Sequence, residues 1–338
     1  LHIVVWYVKK NRSIRMELFK EDKVYNFLGK GKIFFIASFV LFFISIAIIA
    51  VKGFSFGIDF TGGTVVQVKY TQDAPIGKIR ESLKKSELFE HATVSEFGSA
   101  QEIVIKTPAS TVGLSNDIGD TTKEILKDTG EFEIRRVDMV GPKVGDELRV
   151  KGLTAFLLTL VAIMATVTFR YEWRFALAAI IAIVHDIVIT FGFVSYFKVD
   201  FNIESVAALL MILGYSIHDT IIVYDRVREN IEESKETDFV YLINEAVSRT
   251  QSRTTLTSLT VFFVVLTLYV FGGDIMLGFS FPMLVGVVIG TYSSIFVAAQ
   301  LVVWTGFNVA TYRQRLADKV KAHAEKEKMR SQFESGVI

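Results

Sequence analysis

Two aspartates sit in stretches of sequence that ought to exclude them. Asp186 lies in AIVHDIVIT and Asp219 in GYSIHDTIIVYDRVREN, each preceded by a histidine (His185, His218) and each inside a run apolar enough to cross a bilayer. An aspartate at a helix centre costs about 2.5–3.5 kcal/mol on insertion scales, so two of them ask for a purpose. Taking a carboxyl out of water disfavours its charged form, and an approaching cation restores it. A group poised in that way can take up and give back a proton, which is the chemistry of a relay. The candidate cations are His185, His218 and Arg253, the last at the entrance of an apolar run in SRTQSRTTLTSLT. The other reading makes each His-Asp pair a hydrogen-bonding node between helices. Neighbours at i and i+1 point in different directions, so neither histidine need pair with its own aspartate.

Other chemistries fit these residues less well. Two intramembrane carboxyls could share a proton to activate water, as in an aspartyl protease, but Tyr215, Ser216, Ile217 and His218 stand where a G-x-G-D context would be needed. There is no HExxH for a zinc protease, and the five histidines are scattered. With no cysteine, neither a disulfide nor a thiolate metal site is open to the chain. We expect no catalytic residues, no metal and no cofactor, with the proton as coupling ion.

The elements that must position these residues are membrane helices. Hydrophobic residues make up 51% of the 338 positions, a composition outside the range of ordinary soluble enzymes. Six apolar stretches stand out, at 33–51, 153–169, 175–197, 203–224, 256–272 and 276–304. Helical spacing sets Asp186 with Ala178, Ala182 and Thr190 on a narrow face of small residues, matched by Gly286, Gly290 and Ser294 of the last stretch. Faces of this kind let helices approach closely, so the polar groups should point into a bundle.

Charge placement orients the spans. Lysine and arginine crowd the first 32 residues, the link Arg170 to Arg174, the link holding Arg226, Arg228, Arg249 and Arg253, and the tail after Tyr312. All four lie on one side if six helices alternate, and the positive-inside rule puts them, with both termini, in the cytoplasm. The expected organisation is a cytoplasmic tail at 1–32, a first span at 33–51, an exported domain at 52–152, five further spans within 153–304 with a cytoplasmic link at 226–254, and a cytoplasmic tail at 305–338. Residues 1–15 read as an upstream extension, with Met16 as the usual start.

Residues 52–152 read as a domain in the order βαββαβ. TVVQVKY alternates, residues 76–89 and 114–129 have helical spacing, ATVSEF and EIVIKT flank Gly98, and EFEIRRVDMV closes the series. That order is the ferredoxin-like, or split βαβ, pattern. The fold class expected is thus a polytopic α-helical membrane protein with one exported α+β domain. Two glycine-rich stretches bracket it, with Gly62 and Gly63 in GIDFTGGT and Gly141 and Pro142 in VGPKVG. They read either as plain turns or as hinges coupling the domain to the helices.

GIDFTGGT, VGPKVG, HDIVIT, LGYSIHDTIIVYDRVREN and SRTTLTSLT, in this order, resemble the signature stretches of the SecF family (SecD/SecF, within the resistance-nodulation-division superfamily) over about residues 29–304. The resemblance implies a subunit of the bacterial cytoplasmic (inner) membrane that pairs with SecD into a pseudo-symmetric bundle beside the SecYEG channel. It further implies that the proton motive force moves the exported domains, which pull or hold an emerging preprotein. The partners implied are SecD, SecYEG, preprotein substrates and membrane lipid, with no nucleic acid. Residue by residue, Asp219 is similar to the family's proton-path aspartate, Arg253 to its partner arginine on the next helix, and Asp186 to the HD of the third helix. The chain departs from the pattern at His218, where asparagine is more usual. The alternative is a small-molecule/proton antiporter of the same superfamily, for which a second exported domain would have to come from a partner chain.

Overall fold

The structure, a computed structural model, describes residues 23–86, 89–108 and 118–334. Lys9, Lys10, Arg12, Arg15, Lys20 and the proposed start at Met16 lie outside the described residues. Helix α1 (Gly31–Lys52) leads through a short turn, α2 (Ile58–Thr61), into an α+β domain. Its elements are β1 (Gly63–Tyr70), α3 (Ile76–Lys84), β2 (Thr93–Phe97), β3 (Ser99–Pro108), α4 (Ile118–Leu126) and β4 (Phe132–Val140). There follow α5 (Pro142–Arg170), α6 (Trp173–Phe197), α7 (Ile203–Glu233) and α8 (Phe239–Phe271). The last span is α9 (Gly273–Ser293), a π-helical turn (Ser294–Ala298) and α10 (Ala299–Trp304), and α11 (Val309–Glu334) closes the chain. Six of these helices, the π-turn joining α9 to α10, are long and apolar enough to cross a membrane.

The small domain carries the expected βαββαβ order, and its sheet runs β2-β3-β1-β4 with every pairing antiparallel. Alternation along β1 turns Val66 and Val68 inward, where they meet Ile79 and Leu83 of α3, Ile103 and Ile105 of β3 and Leu126 of α4. One face of the sheet is thereby closed by two helices, a layer arrangement that needs no partner to bury its apolar side.

In the bundle, α6, α7 and the last span are 61, 50 and 56% buried over their most apolar windows, against 17% for α1, 11% for α5 and 17% for α8. The first three therefore form the centre and the others the periphery. Small residues set the spacing. Ser38 and Ser45 of α1 face His185 and Gly192 of α6, both pairs seven residues apart, and a methyl group at Gly192 would overlap Ser45. Gly286 admits Ile212 of α7 in the same way, and Gly290 faces Ser216 of α7 with a notional Cβ at 3.4 Å.

The helices outrun the apolar stretches. Residues 226–254, read from sequence as a link, are mostly helix, because α7 continues to Glu233, α8 begins at Phe239, and only 234–238 connect them. Hydropathy drops there while the helix goes on, held by Arg226–Glu229, Arg228–Glu232 and Arg249–Glu245 pairs at i,i+3 and i,i+4 spacing. Helix α5 likewise starts at Pro142, whose missing N–H costs nothing at a helix N-terminus.

The two glycine-rich stretches pack on each other. Gly62 ends α2 at φ +73, and a Cβ there would lie 3.0 Å from the backbone of Pro142. Gly145, on the first turn of α5, in turn faces the backbone N of Gly62, 3.0 Å from where its own Cβ would stand. Gly63 opens β1, while Gly141 is the extended residue before α5. The domain is thus joined to α5 by backbone against backbone. On its other side Lys106 of β3 reaches Asp200 at 3.5 Å, in the α6–α7 turn, and Ser55 donates to the same carboxylate at 2.7 Å.

Candidate proton site in the helix bundle

Asp186 is fully buried at the middle of α6 and bonded on both oxygens. Ser216 Oγ of α7 and Ser293 Oγ of α9 donate to Oδ2 at 2.6 and 2.7 Å, and Nδ1 of His185 lies 2.9 Å from Oδ1. Nε2 of His185 meets Ser38 Oγ of α1 at 2.5 Å. One polar chain, Ser38–His185–Asp186–Ser216/Ser293, therefore ties four spans together inside an apolar core. The π-turn begins directly after Ser293, so the last span changes its winding where it touches the carboxylate, as such turns often do near functional sites. Gly290, one turn before Ser294, brings α9 within 3.8 Å of Asp186 Oδ2 measured from a notional Cβ.

Asp219 lies three residues beyond Ser216 on α7, one turn from the point where Asp186 of α6 meets that helix. It is buried, with 4% exposure, but more loosely held: among the described residues its hydrogen-bond partner is Ser258 Oγ of α8, at 3.3 Å. A cavity of about 10 Å³ opens beside it, lined by Ser216, Ser258, Gly286 and Gly290, about the room one water needs. Among the described residues, Thr220 Oγ1 and Thr254 Oγ1 are buried on the same helix pair without a hydrogen-bond partner. Groups of that kind call for water or a moving side chain.

The two histidines behave differently. His185 does contact its neighbour Asp186, which adjacency alone did not require, whereas His218 faces outward and makes no hydrogen bond to Asp219. Arg253 is not brought onto Asp219. It is exposed, one and a half turns before Ser258 on α8, in a cavity of about 850 Å³ with Asp225, Glu229 and Glu245. The sequence reading missed the four serines, since a hydroxyl in an apolar run hardly alters hydropathy. Their signal was serine at Ser216, one turn from an intramembrane acid.

At the end of the bundle away from the α+β domain, Asp225 accepts from Tyr171 Oη at 2.6 Å and from Arg170 at 2.8 Å. Burial pushes the Tyr171 hydroxyl well above its ordinary value, and the bond to Asp225 and its charge push the same way. Asp225 thus fastens α7 to the α5–α6 turn rather than merely ending a helix.

Residues 121–308 match the family described as "Protein export membrane protein SecD/SecF, C-terminal", and residues 47–74 match the SecD/SecF GG motif. The chain is 48% identical over 323 residues to a protein translocase subunit SecF of Helicobacter pylori, covering 96% of this chain and all of that one. It is 39% identical to the Pseudomonas aeruginosa SecF, over 82% of this chain and 90% of that one. The crystal structure of SecDF, a translocon-associated membrane protein from Thermus thermophilus, superposes with a TM-score of 0.77 at 32% identity. The match covers 90% of this chain, which spans 42% of the longer SecDF chain. With the GG motif at the entrance to the domain and the acid-bearing helices within the matched region, the chain belongs to the SecD/SecF family, among its SecF translocase subunits.

Proposed function

We propose that this chain is a non-enzymatic subunit of the Sec protein-export machinery, which pairs with a SecD-type chain beside SecYEG and uses the proton motive force to assist preprotein translocation. Both termini are cytoplasmic, the α+β domain is exported, and the proton is the only coupling species. The observation that carries the reading is the contrast between two carboxylates, Asp186 of α6, which meets α7 at Ser216, and Asp219, one turn further along α7. Asp186 is locked by three partners, while Asp219 has one long hydrogen bond and a cavity beside it, with buried threonine hydroxyls that have no hydrogen-bond partner among the described residues on the same two helices.

Asp219 is the group that takes up and releases the proton. Arg253 waits in the polar groove at the cytoplasmic mouth, and its approach along α8 favours the carboxylate while its withdrawal favours the neutral acid. Asp186, with His185, is the fixed node against which α7 moves. Gly62, Gly63, Gly141 and Pro142 form the joint that passes the motion to the domain.

The test compares Asp219→Asn with Asp186→Asn in inverted vesicles carrying the partner subunits, with proton flux and preprotein transport read in parallel. Asp219→Asn should abolish both while the protein folds and assembles. Flux and transport at the unsubstituted level would sink the reading.

A further inference from the structure

We propose that the cavity between the start of α6, the end of α7 and the first turns of α11 binds the phosphate headgroup of an anionic phospholipid. The cavity measures about 310 Å³, within the range of small-molecule sites. Its floor is aromatic, from Phe175, Tyr224 and Phe307, and its rim is basic, from Arg228, Arg315 and Lys319. Among the described residues Glu172 is the one acidic side chain lining it, and it reaches Arg315 at a loose 3.4 Å.

The basic rim is built, not incidental. Tyr312, Arg315, Leu316 and Lys319 follow the three- and four-residue spacing that puts side chains on one face of α11. That face is pinned where it starts. Arg313 Nε donates to Ile231 O at 2.6 Å, its Nη2 donates to Ser234 O at 2.6 Å and Glu236 O at 2.8 Å, and Arg174 donates to Gly306 O. Lys319 has no acidic partner among the described residues, and Arg228 has only Glu232, at 3.8 Å on its own helix. Lys319 is therefore left to a ligand, and Arg228 and Arg315 are held only at 3.8 and 3.4 Å by their carboxylates.

The surroundings say which phosphate. Phe169, which lines the cavity, is 93% exposed near the end of α5, and Trp173, the first residue of α6, is 61% exposed. Aromatic residues so placed mark the level where acyl chains give way to headgroups. A free phosphate ion would have no use for that apolar edge, whereas a phospholipid lays its chains along it. Basic pockets beside membrane helices hold anionic headgroups by the same division of labour.

Native mass spectrometry of the full chain in detergent tests this with three probes: phosphatidylglycerol, phosphatidylcholine of equal chain length, and inorganic phosphate. The full chain should retain phosphatidylglycerol in preference to phosphatidylcholine. The double substitution Arg315→Gln/Lys319→Gln removes two charges from an exposed helix face and should weaken phosphatidylglycerol binding about thirtyfold, from the usual contribution of basic side chains to anionic-lipid attraction. Lys326→Gln/Lys328→Gln, on the same helix beyond the cavity, should leave binding unchanged. Equal loss in both double variants, undiminished binding in the first, or displacement of the lipid by millimolar phosphate would each overturn the assignment.

Discussion

Ser38 Oγ lies 2.5 Å from Nε2 of His185, and through that ring the first span is tied to a carboxylate otherwise held by the third, fourth and sixth. Helix α1 buries little of its surface against the bundle, so a polar contact weighs more there than in the packed centre. Interhelical hydrogen bonds in membranes contribute about 0.6 kcal/mol on average and up to about 1.7. Ser38→Ala should destabilise the protein by about that amount in detergent unfolding curves, and by almost nothing further in a His185→Ala background. Undiminished loss in that background would mean that Ser38 acts by packing, not through the ring.

Ser216 and Ser293 donate to the same oxygen of Asp186 from different helices. Either alone leaves the oxygen partnered, so Ser216→Ala and Ser293→Ala should each cost about 1 kcal/mol. Removing both strands a buried oxygen, and the double variant should cost more than the sum, with a coupling of about 0.5–3 kcal/mol. A purely additive double variant would show that the two hydroxyls do not share the burden.

Asp186 and Asp219 were legible in the sequence because hydropathy exposes a charge in an apolar run, and the βαββαβ order was legible because alternation and turn residues are local signals. What α7 does with those acids was not. Which hydroxyl meets which carboxylate depends on rotation about the helix axis, and a rotation of one residue's arc would exchange Ser216 for Ile217 at Asp186. The pairing of His185 with Asp186 and the outward turn of His218 are set the same way, by neighbours that lie 30 or more residues away in the chain. Where the helices end within the 226–254 link was not legible for a different reason: a charged helix end and a charged loop look alike to a hydropathy window, and it is the helical pairing of Arg226 with Glu229, Arg228 with Glu232 and Arg249 with Glu245 that separates them.

Tyr171 gives the fold an alkaline limit. Its hydroxyl loses its proton less readily in the folded protein than its ordinary value of 10.0 implies, first because it is buried and then because it donates to Asp225. The folded state therefore holds this proton when the unfolded chain has begun to lose it. The stabilisation is fully present below pH 10 and falls as pH rises beyond it. Tyr171→Phe should cost about 1 kcal/mol at pH 7, for the lost hydrogen bond, yet show a shallower loss of stability between about pH 10 and pH 12. Parallel slopes in that window, from thermal unfolding in detergent, would assign the alkaline limit to other groups.

Gly62 and Gly98 separate backbone strain from contact at the joint between domain and bundle. Both have positive φ, +73 and +71, so an alanine at either is strained whatever surrounds it, by about 1–3 kcal/mol. Their surroundings differ. A Cβ at Gly98 meets nothing within 4 Å, whereas at Gly62 it lies 3.0 Å from Pro142 and 3.2 Å from the carbonyl of Val140. Backbone atoms at a helix start cannot swing aside, so Gly62→Ala should cost about 1–3 kcal/mol more than Gly98→Ala, the range for forcing volume into a packed site. The loss should also be local. Hydrogen exchange in Gly62→Ala should quicken at residues 57–63 and 141–145, where the two glycine-rich stretches touch, while the sheet core around Val66 and Ile105 keeps its protection. Equal costs for the two alanines, with exchange unchanged at 141–145, would mean that the joint yields freely and that the close approach of Gly62 to Pro142 does not hold the domain to α5.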